Sequence, residues 1–148
     1  MDCKQALEEN GGDLSKATEA LRRKGFAQAA KRSANATSQG LVEAYIHTGG
    51  RVGALVELAC ETDFVARTPE FRELAHNLAM QVAAMAPQYV DQNQVQEGDS
   101  RPPAQTALLH QPFIKDNSRT VSEIVQELAA KVGENVKVLR FTRLALGE

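Results

Sequence analysis

The chain has 148 residues, 43% apolar and 24% charged. That is enough for one folded domain, or a small helical module plus a domain, and it excludes global disorder. A net charge of −2 and a pI near 5.9 give no sequence-wide field for nucleic acid. A local basic cluster, Arg22, Arg23, Lys24, Lys31 and Arg32, reads as a solvated helix end and linker.

Residues 2–25 read as two short helices. Asp2 and Gln5 have the spacing of a capping box for the first, and Asn10-Gly11 stops it. Asp13 caps the second, whose apolar stripe is Leu14, Ala17 and Leu21, and Gly25 is expected to end it. Two helices of this size cannot hide their apolar faces alone and need a third. Residues 26–39 are small and polar and read as a linker. The period then changes to two: Leu41–His47 and Arg51–Glu61 read as strands joined by Thr48-Gly49-Gly50, where paired glycines suit a tight hairpin. In the second strand Val52, Ala54, Val56, Leu58 and Cys60 share one face and Glu57 and Glu61 the other. Cys60 therefore reads as a small buried apolar residue.

Thr68-Pro69-Glu70 is a helix start, and Phe71, Leu74, Ala75, Leu78, Ala79, Val82 and Ala83 form its buried stripe, closed by Pro87. Residues 88–105 lack apolar periodicity and read as irregular. Phe113-Ile114 precede an expected turn at Asp116-Asn117-Ser118. Thr120 and Glu123 form a capping box for a helix through Val132, ended by Gly133, and a strand from Val136 to Leu144 follows. Helices, β-hairpin, helix, helix, strand is the order of an α+β fold. It divides into a helical module at 1–25, a linker at 26–39, and an antiparallel sheet covered by helices at 40–148.

Catalytic constellations fail to assemble. There is no Walker loop, dinucleotide fingerprint or H-E-x-x-H run. His47, His76 and His110 fall on different elements without ligand spacing, so neither a metal nor a cofactor is expected. Glu61 and Asp63 could be a carboxylate pair, but no nucleophile accompanies them. Cys3 and Cys60 have no Cys-x-x-Cys spacing, no apolar run reaches the ~18 residues of a membrane span, and MDCKQALEEN is not a signal peptide. The expected compartment is cytosol or an organelle interior. The odd segment is Thr62-Asp63-Phe64-Val65-Ala66-Arg67, between a buried strand and a proline-started helix. Its phenylalanine either plugs the local core or is presented as a wedge for a partner's pocket.

ELACETDFVAR, at Glu57–Arg67, resembles the signature segment of the elongation factor Ts family. Residues 1–25 resemble the later part of that family's ubiquitin-associated-like N-terminal module, HTGGRVGALVE its hairpin, and residues 108–148 its C-terminal end. The first helix of the module, with an L-R-x-x-T-G-type stretch, has no counterpart after Met1. A charged helical segment found in many short relatives is replaced here by QNQVQEGDSRPPAQ. The resemblance implies a guanine-nucleotide exchange factor in translation, acting on elongation factor Tu without making or breaking a bond. Thr62, Asp63, Phe64 and Val65 would enter the partner's G domain near the switch helix that helps hold Mg²⁺, with Phe64 as wedge and Asp63 as polar lever. It also implies a homodimer formed through the sheets, and no direct nucleotide, membrane or specific nucleic-acid partner. The competing readings are a ubiquitin-associated-type adaptor without exchange activity, and a small hydrolase using Glu61 and Asp63.

Overall fold

The computed structural model describes residues 2–148. Helices α1 (Asp2–Glu9) and α2 (Leu14–Lys31) precede strands β1 (Gln39–Ile46) and β2 (Val52–Cys60). A single-turn helix α3 (Asp63–Ala66) and the long helix α4 (Pro69–Met85) follow. Then come the short α5 (Pro103–Thr106), a small hairpin of β3 (Pro112–Phe113) and β4 (Asp116–Thr120), helix α6 (Val121–Val132) and strand β5 (Lys137–Ala145). The main sheet is antiparallel in the order β1-β2-β5, so the fold is α+β.

Alternation along β2 builds the core. Ala54, Val56, Leu58 and Cys60 face inward and are buried, whereas Leu55 between them is exposed. Opposite lie Phe71, Leu74, Leu78 and Val82 of α4, and Val121, Val125, Leu128 and Ala129 of α6. Burying each large apolar side chain is worth about 1.5–3 kcal/mol, so this layer dominates the favourable side of folding. The expected stripe of α4 is buried throughout. Thr68 caps that helix, its Oγ1 accepting from Phe71 N at 3.3 Å. The stripe also hides Gln81, whose Nε2 donates to Pro112 O at 3.0 Å and whose Oε1 accepts from Ile114 N at 2.8 Å. One buried amide thus ties the small hairpin to α4.

Three local expectations need correction, and one irregular segment is tied down. Asp2 lies inside α1, and Gln5 turns forward to Glu9 at 2.8 Å instead of completing a capping box. Gly25 does not end α2, which continues to Lys31 and takes residues 26–31 out of the expected linker. The glycine serves close approach instead: a Cβ there would meet Ala130 Cβ of α6 at 3.2 Å. With Ala29 packed against the core, α2 takes part of its cover from α6. The hairpin turn lies at Ile114-Lys115, and Asp116–Ser118 are strand, with Asp116 Oδ1 accepting from Ser118 N at 3.2 Å. Finally, residues 88–105 are irregular but tied down. Tyr89 bridges to Ala107, and Asp99 receives Tyr89 Oη at 3.2 Å and Arg101 Nη2 at 2.6 Å. The Arg101 guanidinium and backbone amide, with the Tyr89 hydroxyl a lesser partner, hold the Asp99 carboxyl well below the usual range.

Gly25→Leu should push α2 off α6. An overpacking penalty of about 1–3 kcal/mol predicts roughly 5–150-fold faster amide exchange over residues 26–31, with the buried amides of α4 unchanged, as read by hydrogen–deuterium exchange.

Candidate functional site

The last cross-strand pair of β1 and β2 is Gln39 with Cys60, so Glu61 and Thr62 leave the sheet with backbone amides that the ladder does not use. Thr62 is extended, at φ −126° and ψ 153°, and caps α3, its Oγ1 accepting from Val65 N at 3.3 Å. Thr68 closes the turn from the other side, donating from Oγ1 to Val65 O at 2.7 Å while it caps α4. The tip is therefore one helical turn between two threonine caps. Residues on a helix are set about 100° apart, so consecutive pairs face opposite ways. Val65 and Ala66 point into the core at 5% and 7% exposure, while Phe64 stands in solvent at 79%. Asp63 is exposed beside it, pairing with Arg67 one turn on at 3.3 Å.

The four residues singled out by sequence thus divide in two. Asp63 and Phe64 are presented; Thr62 and Val65 belong to the support beneath them. The Phe64 ring does not plug this chain's core. One participant had no sequence signal: Glu134, which follows the helix-ending Gly133. Its Oε1 accepts from Glu61 N at 3.1 Å and Thr62 N at 3.0 Å, and its Oε2 accepts from Thr62 Oγ1 at 2.7 Å. A carboxylate more than seventy residues downstream takes up the amides that the sheet leaves free.

The competing chemistries find no arrangement here. Glu61 Oε1 is buried without a hydrogen-bond partner among the described residues, whereas Asp63 lies out in solvent, so the two carboxylates diverge. Burial, reinforced by the Glu134 carboxylate, pushes the Cys60 thiol up, and its Sγ donates to Thr62 O at 3.0 Å. It is a packed thiol, not a nucleophile. His47 and His76 both lie against Tyr45, His47 on its Oη at 3.0 Å and His76 edge-on to its ring, while His110 is on Asp91 at 3.0 Å. No metal-ligating group of three or more exists among the described residues. Within the basic cluster, Arg22 reaches Glu123 at 3.6 Å, Arg23 reaches Glu19 at 3.3 Å and Lys24 reaches Asp2 at 3.6 Å. No helix of the described residues is long and apolar enough to cross a membrane.

Phe64→Ala should leave the chain's own stability within about 0.5 kcal/mol, because the ring buries almost nothing. Val65→Ala should cost about 2 kcal/mol, from lost transfer energy and the cavity left under the tip. Urea unfolding of the two variants separates a presented residue from a supporting one.

Comparison with known proteins gives the family. A family model described as "Elongation factor TS" matches residues 15–101, which include the whole tip. The Elongation factor Ts of Moorella thermoacetica is 47% identical over 178 aligned positions, covering 100% of this chain and 88% of that protein. The Elongation factor Ts of Thermotoga neapolitana is 45% identical, with 100% and 89% covered. That of Rippkaea orientalis is 44% identical, with 100% and 72% covered. The Moorella alignment has 178 positions for the 148 residues of this chain. The chain belongs to the elongation factor Ts family, a family of translation elongation factors.

Proposed function

We propose that this chain is a guanine-nucleotide exchange factor: it binds elongation factor Tu carrying GDP and speeds GDP release by inserting Thr62–Val65 near the partner's switch helix and Mg²⁺ site. One observation supports the reading above others. A phenylalanine ring 79% exposed is carried, beside an exposed aspartate paired with Arg67, on a one-turn helix fixed at both ends. An apolar ring held in water is unfavourable for the free protein, and burial in a partner's pocket recovers about 1.5–3 kcal/mol. Phe64 acts as the wedge and Asp63 as the lever against the metal site, while Thr62 and Val65 hold the turn. No bond is made or broken. Exchange is coupling between two ligands of one partner: the factor by which this chain weakens GDP binding is the factor by which GDP weakens the chain's own binding. GDP leaves, and GTP later displaces the exchange factor.

The test is release of labelled GDP from preloaded elongation factor Tu. Wild type should accelerate release, and Phe64→Ala should lose about tenfold or more of the acceleration, matching the burial energy of one ring. A ubiquitin-associated-type adaptor would leave the release rate unchanged. Asp63→Asn keeps the shape and removes the charge. Its deficit should shrink when a chelator has already removed Mg²⁺, because a bound divalent ion is the largest local charge in such a site. An equal deficit with and without chelator would leave Asp63 as an ordinary contact.

A second copy of the chain is proposed to cover the outer face of the sheet. Support comes from Ile46, Leu55 and Leu144, which lie outward on three adjacent strands and are all exposed. A contiguous apolar patch of this kind marks an association surface. Leu55→Glu should convert a dimer to a monomer in analytical ultracentrifugation, with the fold retained, since Leu55 points away from the core.

A further inference from the structure

Glu134 lies outside the signature segment of the tip, yet its carboxylate takes up both free backbone amides at the tip's base. We propose that Glu134 is a positioning residue for exchange: its carboxylate fixes the backbone at Glu61–Thr62 and so pre-sets where Phe64 and Asp63 project. The inference rests on the exchange reading and deepens it.

Nothing in the Phe64 side chain itself fixes where it projects. The ring is exposed, so no packing of its own fixes it. Its placement is inherited from the backbone of a four-residue helix, too short to be stable on its own hydrogen bonds. Two anchors remain. Below, Val65 and Ala66 are buried and fix the tip's depth. At its base, Glu134 accepts from Glu61 N, Thr62 N and Thr62 Oγ1 at 3.1, 3.0 and 2.7 Å. Because the Thr62 hydroxyl donates to Glu134, its lone pairs stay free to receive Val65 N. The carboxylate therefore orients the very oxygen that caps α3. It spans two backbone amides and a hydroxyl at once, a geometry that fixes direction as well as distance.

Glu134 is itself rigidly placed. Gly133 takes the left-handed conformation, φ 71° and ψ 26°, and its N–H donates to Ala129 O at 3.0 Å, ending α6. Asn135 on the other side is buried and donates to Ser33 O at 3.2 Å and Asn35 O at 2.8 Å. Val136 is buried next. The residue between them leaves the helix end with its course fixed on both sides. The tip is thereby referenced to α6 and, through Asn135, to the segment after α2, instead of hanging from β2 alone. Such pre-ordering lowers the cost of docking, so its loss should weaken binding more than the rate within the complex.

The experiment uses the full chain carrying Glu134→Ala or Glu134→Gln, with Phe64→Ala as comparison. Release of labelled GDP from elongation factor Tu is followed against factor concentration, and amide exchange at Thr62 is measured on the free chain. Glu134→Ala should raise the half-saturating concentration about tenfold, lower the maximal rate less than about threefold, and speed exchange at Thr62. Glu134→Gln keeps one carbonyl oxygen for the two amides and should recover most of the affinity. Phe64→Ala should instead reduce the maximal rate with Thr62 exchange unaltered. An unchanged half-saturating concentration in Glu134→Ala, with wild type active, overturns the proposal. So does a Gln variant as impaired as Ala with Thr62 exchange unaltered, for then the carboxylate does not act through the tip. If Glu134→Ala does not fold, the Gln variant decides alone: wild-type behaviour in both readouts supports the proposal, and a loss of affinity without faster Thr62 exchange overturns it. Wild type that fails to speed GDP release defeats the exchange reading itself, whatever the variants do.

Discussion

The inner row of β2 packed on α4 is the constraint from which the rest of the molecule follows. Val56, Leu58 and Cys60 are fully buried, and across from them Phe71, Leu78 and Val82 are fully buried as well. Neither surface can slide, because a one-residue slip of a strand would turn its whole apolar row to solvent. The strand must end at Cys60 and the helix must begin at Pro69, each in contact with the same core. Eight residues are left to reverse the chain. Such a turn cannot bury both of its faces, so half of it is necessarily displayed.

Accounting for backbone hydrogen bonds explains why the turn is ordered. Buried or half-buried amides must find partners, and the sheet provides none past Cys60. Thr62, Thr68 and Glu134 divide the work: each threonine caps a helix, and the glutamate collects the two amides between strand and cap. A cap is worth about 1 kcal/mol and a hydrogen bond to a charged group about 1.5–3 kcal/mol. Those contributions hold the turn in shape, while the Phe64 ring, in water in the folded and the unfolded chain alike, leaves the balance of a marginally stable protein almost untouched.

The N-terminal helices follow the same logic at lower stakes. Only Ala6 of α1 and Ala17 of α2 are buried. Their attachment depends on the far half of α2, where Gly25 lets two backbones approach and Ala29 reaches the core. Arg22 adds a contact to Glu123 of α6 and lies over the Phe26 ring at 5.2 Å. Three of the five cations that look free in the sequence, Arg22, Arg23 and Lys24, are paired with acids in the fold.

The sequence by itself determined the elements that rest on local chemistry. Thr68-Pro69 starting α4, Thr120 starting α6, Gly133 ending it and the Gly49-Gly50 hairpin are all interactions between residues a few positions apart, and period-two or 3.6 patterning marked the buried faces. The segment Thr62–Val65 was also visible, as a stretch too short to hide itself and as a family signature. Tertiary structure decided what depends on partners distant in the chain. Gly25 carries the sequence mark of a helix stop, and only the nearness of Ala130 makes it a packing site. Asp116-Asn117-Ser118 has turn composition, yet the pairing of Asp116 with Phe113 and of Thr120 with Pro112 draws it into a strand. Whether Phe64 was buried or displayed depended on which side of a single helical turn met the core. Glu134 was silent for the same reason: its partners are 72 and 73 positions away, and no periodicity links residues across that distance.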